Sequence, residues 1–289
     1  MPDDLEFEVN DLIDGRYRVL ALLGRGGMGK VIKCYDEMLD KEVALKLLLD
    51  LDADQFAVRF QKEAQTTARL SHPNIVRVMD FGQTGAGELF LVMDLLEGKS
   101  LEDLLLEKGA FSVDETFEFG IQIGLALSHA HRNGVLHRDI KPSNVMLVKD
   151  DRGKYQAKLV DFGLAKFVQD DERLTSTGVG LGSPPYVSPE QGDGKEIDER
   201  ADIYSFGCLL FAMLVGRPPF LADNPLATVL MHMKNPPPSL AEIKKEDFPL
   251  AVEALISRCL KKKPAQRPQS FDSLVEEIKS LKEALKYGT

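Results

Sequence analysis

His137-Arg138-Asp139-Ile140-Lys141-Pro142-Ser143-Asn144 sets three chemically distinct side chains close together in a polar segment. Asp139 can accept the proton of an attacking hydroxyl, and Lys141 can neutralise a migrating phosphoryl group. Asn144 offers an amide oxygen to a metal. Magnesium takes hard oxygen ligands and keeps several waters, so one amide and one carboxylate from the protein suffice. Asp161-Phe162-Gly163, following the Lys158-Leu159-Val160 segment, supplies that carboxylate. Alone, such a tripeptide is an ordinary turn; downstream of the Asp139 segment it reads as a metal ligand.

Two upstream features belong to the same chemistry. Gly24, Gly26 and Gly29 give G-x-G-x-x-G, which also occurs where a strand turns into a helix and holds a dinucleotide. Here Lys30-Val31-Ile32-Lys33-Cys34-Tyr35 follows, a strand-like segment with no helix N-terminus to hold a pyrophosphate. A Gly-rich turn between two strands is instead a flap whose backbone N–H groups can close over phosphates. Val43-Ala44-Leu45-Lys46 then places one lysine in an apolar strand. Lysine is rarely buried unless paired. Either Lys46 snorkels at the strand end, or it is held by Glu63 beside the apolar stripe of the next helix and grips nucleotide phosphates.

The elements that must position these groups fall into two regions. Up to about residue 94 the pattern is strand-rich, interrupted by one helix near 54–70 with Phe56, Phe60, Ala64 and Thr67 at helical spacing. Strands near 76–81 and 89–93 flank a turn containing Gly82, Gly85 and Gly87. Beyond a short hinge at 94–98 the chain turns helical. Ser112 with Glu115 is a capping box, opening a helix that runs toward Gly134. Residues 201–215 form an almost wholly apolar helix, and Leu274, Ile278, Leu281 and Leu285 mark a final amphipathic one. Residues 161–190 form a long polar stretch of the kind that usually carries function.

In this order, Gly24 to Gly29, Lys46, Glu63, His137-Arg138-Asp139, Asn144, Asp161-Phe162-Gly163 and Ser188-Pro189-Glu190 resemble the protein kinase family. The resemblance spans roughly residues 17–285. It implies an α+β, bilobal, protein-kinase-like fold. Residues 1–16 would be an acidic N-terminal extension, 17–97 a small β-rich N-lobe with one helix, and 98–289 a larger α-helical C-lobe for catalysis and substrate binding. ATP would meet Leu23, Gly24, Arg25, Gly26, Gly27, Met28, Gly29 and Lys30 of the flap. Val31, Ala44 and Met146 would sandwich the adenine, the Asp94 and Leu96 backbones would meet its edge, and Met93 would stand behind it. Lys46 with Glu63, Asp139 and Lys141 are the implied catalytic set. Asn144 and Asp161 are the implied ligands of Mg2+, with Mn2+ as the alternative ion. Asp202 and the pair Glu190–Arg267 stand where the family has structural groups.

The resemblance also implies an activity: ATP-dependent transfer of the γ-phosphate to serine or threonine hydroxyls of proteins, including this chain's own activation loop, in signal transduction. Lys141-Pro142 after Asp139, and Ser183 before Pro184-Pro185, are of the Ser/Thr type. Leu23 to Gly29, His72-Pro73-Asn74-Ile75-Val76 and Ser188-Pro189-Glu190-Gln191 look like the bacterial branch. Arg138 implies an anion to neutralise it, with Thr175, Ser176 and Thr177 as the candidate phosphorylated hydroxyls, or Asp171 or Glu172 in their place. Trans-autophosphorylation would need a transient homodimer. Departures are small: Ser188 replaces Ala, Asp40 stands where many relatives have Gly, and 150–154 is a longer charged turn.

Composition narrows the rest. The 289 residues, 44% hydrophobic and 28% charged, suit a folded chain. A net charge of −10 argues against nucleic acid or anionic lipid as partner. Cys34, Cys208 and Cys259 lie far apart, which fits a reducing compartment and offers no zinc pattern. No run reaches the ~20 apolar residues of a membrane span, so the expected location is cytoplasmic, with the domain facing the cytosol if an anchor lies beyond residue 289. Two competing functions are a catalytically inactive kinase-fold scaffold, which usually lacks the lysine or one of the aspartates, and a small-molecule phosphotransferase, which should lack the long 161–190 segment.

Overall fold

Period-2 alternation of apolar side chains builds an antiparallel sheet from the N-terminal third of the chain. The structure, a computed structural model, describes residues 7–26, 29–48, 53–150, 152–162 and 183–287, with the side chains of 53–57, 59 and 287 outside that description. The strands are β1 (Leu12–Ile13), β2 (Tyr17–Gly26), β3 (Gly29–Asp36), β4 (Lys41–Leu48), β5 (Val78–Gln83) and β6 (Leu89–Asp94), in the order β1-β2-β3-β4-β6-β5. One face buries Ile13, Tyr17, Val19, Ile32, Cys34, Val43, Leu45, Leu47, Phe90 and Val92 in a single cluster. The other face carries the residues between them. There Val31 stands opposite Lys46, and Ala44 lies between Lys33 and Met93.

Residues within the stretch read as an extension take part in this sheet. Leu12 and Ile13 pair with Arg18 and Tyr17. Arg16 forms a two-pronged ion pair with Asp36, 2.8 Å at each prong, and reaches Asp80 at 2.7 Å. Gly82, grouped by sequence with turn glycines, lies inside β5, where a Cβ would come 2.6 Å from the Phe90 ring. Helix α1 (Ala53–Ala68) packs on β5 and β6 and buries Phe60, Ala64 and Thr67. The side chain of Phe56 is outside the described residues.

The chain divides into two compact units, Met1–Ser71 with Val76–Glu97, and His72–Ile75 with Gly98–Thr289. The second unit holds a small sheet, β7 (Gly98–Ser100), β8 (Val145–Lys149) and β9 (Tyr155–Leu159), and the long helices. His72–Ile75 joins it through Asn74, which donates to Ala157 O at 2.7 Å and accepts from Leu159 N at 2.9 Å. Helix α2 (Leu101–Lys108) is capped by Ser100 and Asp103, and α3 (Val113–Arg132) by Ser112 and Glu115. The last turn of α3 gives way to Gly134, whose φ of 72° is available to glycine without strain.

Past 183 come α4 (Pro189–Gly192), α5 (Glu199–Val215), α6 (Pro225–Lys234), α7 (Leu240–Lys244), α8 (Leu250–Cys259) and α9 (Phe271–Tyr287). Residues 201–214 of α5 are all buried, which is why this helix is apolar all round. Among the described residues no helix is long and apolar enough to cross a membrane.

Candidate active site

In the first unit, the Gly-rich segment runs from the end of β2 into the start of β3. Leu23, Gly24, Arg25 and Gly26 lie on β2, and Gly29, Lys30 and Val31 on β3, while Gly27 and Met28 are outside the described residues. Gly29 has a φ of 152° and passes so close to β4 that a Cβ would lie 2.0 Å from Leu47 O. Gly24 and Gly26 have open space where a Cβ would point, which leaves their backbone approachable. Val31, Ala44 and Lys46 share the sheet face opposite the core, with Met93 beside Ala44 on that face. Lys46 is 6% exposed, and Glu63 is half-buried on α1. Asp94 closes β6 and Leu96 follows it.

The second unit contains the groups that the sequence assigns to phosphoryl transfer. Asp139 is buried, and its Oδ2 sits 2.8 Å from Lys141 Nζ. Lys141 Nζ also donates to Ser183 Oγ at 2.7 Å. Burial alone would push the Asp139 carboxyl up, but Lys141 and the Ser183 hydroxyl hold it below the usual aspartate range. It is therefore an ionised, hydrogen-bonded carboxylate at neutral pH. Asn144 donates its side-chain N–H to Asp139 Oδ2 at 3.0 Å and to Asp139 O at 2.8 Å. That fixes the amide so that its oxygen faces away from Asp139. The segment is shaped by a single 3-10 turn, Pro142–Asn144, with proline at its first position.

The backbone leading into Asp139 is held from below. Asp202, at the start of α5, accepts from His137 N at 2.8 Å, Arg138 N at 2.9 Å and His131 Nε2 at 2.8 Å. Its full burial favours the neutral acid, yet these donors keep it ionised and below its ordinary value. His137 is buried, hydrogen-bonded through Nε2 to Val160 O at 3.0 Å, and its ring lies 4.5 Å from that of Phe162. Burial pushes the imidazole down, so it is neutral near pH 7. Asp161 has a φ of 64°, a left-handed conformation that aspartate tolerates.

Further along, Ser183 opens the turn Pro184–Tyr186, and Glu190 on α4 meets Arg267 in a buried bidentate pair. Met146 lies on β8. Gly163, Asp171, Glu172, Thr175, Ser176 and Thr177 are outside the described residues. Sequence reasoning missed His131 as a partner of Asp202, and the side chain of Gln191, which donates to Arg138 O at 2.9 Å. The pattern Ser188-x-x-Gln191 is a legible capping box, although its reach to the catalytic loop is not.

The donor chemistry suits the groups this arrangement implies. An amide oxygen and a carboxylate, Asn144 and Asp161, are hard ligands for a divalent cation. Among the described residues no cluster of three or more His, Cys, Asp or Glu forms a separate metal cage.

This fold and these side chains define a phosphoryl-transfer domain, and the protein kinase domain model matches residues 17–279. The chain belongs to the protein kinase family. It is 41% identical over 276 residues to the serine/threonine-protein kinase PksC of Streptomyces coelicolor, covering 92% of this chain and 49% of that protein. It is 37% identical to the serine/threonine-protein kinase pkn3 of Myxococcus xanthus, covering 97% of this chain and 52% of the relative. The chain thus spans about half the length of these curated relatives. Among solved structures, a double mutant of the PknI kinase domain of Mycobacterium tuberculosis superposes with a TM-score of 0.77 at 27% identity, over 96% of this chain and all of that one. The fold is the bilobal kinase fold, a β-rich unit and a helical unit.

Proposed function

We propose that this chain is the catalytic domain of a serine/threonine protein kinase, acting on protein substrates with ATP and Mg2+. The observation that carries this reading is the contact set around Asp139: an ionised, buried carboxylate with Lys141 at 2.8 Å, the Ser183 hydroxyl beside both, and Asn144 at 3.0 Å. Asp139 takes the proton of the acceptor hydroxyl as its oxygen attacks the γ-phosphorus. The bond from that phosphorus to the β,γ-bridging oxygen breaks, and ADP leaves with the bridging oxygen. Lys141 offsets charge on the phosphoryl group in transit. Asn144 and Asp161 would hold a divalent ion, which would supply neutralisation of phosphate charge. Lys46, steadied by Glu63, grips the α- and β-phosphates beneath the backbone of Gly24, Gly26 and Gly29, with Val31, Ala44 and Met146 against the adenine. Catalysis of this kind is positioning plus charge stabilisation.

The working boundary between the two domains falls between 97 and 98, with Leu12–Ile13 counted in the first sheet, and the reaction takes place in the cytosol. Phosphorylation at Thr175 or Thr177, by a second copy in a transient pair, raises activity in this reading.

The test is a labelled γ-phosphate assay against a basic protein, a peptide pool and small alcohols, with wild type and Asp139→Asn. Transfer to protein serine or threonine alone is the expected result, with turnover reduced about 10²–10⁴-fold in Asp139→Asn. Label on small alcohols, or no transfer by the wild type, rejects the reading.

A further inference from the structure

The turn Ser188–Gln191 ends in a side chain that none of the phosphoryl-transfer roles uses. Gln191 Oε1 accepts from the backbone N–H of Ser188 at 3.1 Å and from its hydroxyl at 3.0 Å. These two donors fix which end of the amide is oxygen. The nitrogen end is thereby aimed at the catalytic loop, where it donates to Arg138 O at 2.9 Å.

That carbonyl belongs to the peptide joining Arg138 to Asp139. Arg138 sits at φ 67°, a left-handed conformation that strains any residue with a Cβ. It persists only if neighbours hold it. On the N-terminal side Asp202 does so, through the N–H groups of His137 and Arg138. On the C-terminal side the peptide's own N–H, that of Asp139, meets among the described residues His137 Nδ1 at 3.4 Å, a long bond. The carbonyl bond to Gln191 is therefore the short contact that sets the tilt of this peptide. Rotating the peptide would swing the Cα–Cβ bond of Asp139 and break its alignment with Lys141 and Asn144.

We propose that Gln191 is a positioning residue for Asp139, fixing the Arg138–Asp139 peptide and coupling α4 to the proton-accepting carboxylate. This rests on the assignment of Asp139 as the base.

Two variants separate the two ends of the amide. Gln191→Glu keeps oxygens for Ser188 but removes the donor to Arg138 O. Gln191→Met is of similar size and removes both. Each is measured for kcat, KM for ATP and thermal midpoint, alone and combined with Asp139→Asn. In an otherwise wild-type chain, kcat should fall about 10- to 100-fold, as expected for a misplaced catalytic group, while KM for ATP stays within about twofold. In the Asp139→Asn background neither change should lower the residual rate further. Wild-type kcat in both Gln191 variants, with Asp139→Asn impaired, overturns the proposal and leaves the base assignment standing. An equal loss in both backgrounds also overturns it, since that marks general support of the fold. Full turnover by Asp139→Asn removes the base assignment and this inference together.

Discussion

Arg267 meets Glu190 through two parallel bonds, Nη1 to Oε1 at 2.6 Å and Nη2 to Oε2 at 2.8 Å, with the arginine side chain wholly buried. The remaining guanidinium N–H groups donate to the carbonyls of Arg200, Lys261 and Lys262. All five donors are thus spent, and the ring of Tyr204 lies 4.9 Å from the guanidinium carbon. A buried pair survives desolvation only when satisfied to this degree. The pair ties α4, which carries Gln191, to the start of α5 and to the chain before α9.

Removing one partner leaves the other buried and unpaired. Arg267→Ala should lower unfolding free energy by about 3–5 kcal/mol, read from urea denaturation. Arg267→Lys should recover little, because an ammonium cannot reproduce the planar fork or reach three carbonyls at once. A lysine variant as stable as the wild type would show that charge alone suffices.

A second expectation concerns the metal site. Asp161→Asn exchanges a carboxylate for an amide at φ 64°, a conformation asparagine adopts as readily as aspartate. The fold should therefore survive, with a thermal midpoint close to that of the wild type. Transfer should fall below detection, while ATP binding measured by calorimetry without divalent ions should change little. A folded Asp161→Asn protein with substantial activity would remove Asp161 from the metal site.

Much of this was legible because the chemistry lies in contiguous segments. Asp139, Lys141 and Asn144 sit within one short loop, so their mutual reach follows from spacing. The capping pair Ser112–Glu115 likewise announced α3. Helix α2 escaped notice because it is short, and its box uses Asp103 in place of Glu or Gln. The partnership of His131 with Asp202 spans 71 positions and depends on how α3 and α5 pack, which no local pattern encodes. In the sequence Asn74 carries only a likeness to the bacterial branch. In the folded chain its amide and backbone stitch His72–Ile75 to β9, a role visible only once β9 is placed.

Stability should fall on mild acidification through His232. This ring is buried on α6 between Tyr204, whose hydroxyl is 3.0 Å from Nδ1, and Phe220. Burial first, and the nearby Lys262 ammonium second, push the imidazole down to about 3. Below about pH 6.5 the unfolded chain gains a proton at His232 that the folded chain does not, so folding weakens as pH falls until about pH 3. The slope contributed is at most about 1.4 kcal/mol per pH unit. Asp202 acts in a lower window. Its folded carboxyl titrates below its unfolded value, so its contribution is complete above about pH 4 and fades as pH drops through the folded value. Urea midpoints from pH 7 to 5 should therefore fall in the wild type and fall less in His232→Gln. Parallel slopes for the two proteins would show that His232 is not held neutral.

The remaining expectation is regulatory. Arg138 precedes Asp139, and its backbone N–H and carbonyl are engaged by Asp202 and Gln191. The expected partner of its guanidinium is an anion carried by 163–182. That segment contains Thr175, Ser176 and Thr177 as hydroxyls, and Asp171 and Glu172 as carboxylates. A phosphothreonine carries about −1.5 to −2 charge and accepts two parallel bonds from one guanidinium, which a single carboxylate matches with only half the charge. Incubation with magnesium and ATP should therefore add phosphate at Thr175 or Thr177 in preference to Ser176, detected by mass spectrometry of the tryptic peptides. Phosphatase treatment should lower turnover, and Arg138→Ala should abolish the difference between the treated and untreated enzyme. If the segment stays unmodified in a fully active protein, or if Arg138→Ala keeps its response to phosphatase, Arg138 does not read a phosphate on this loop.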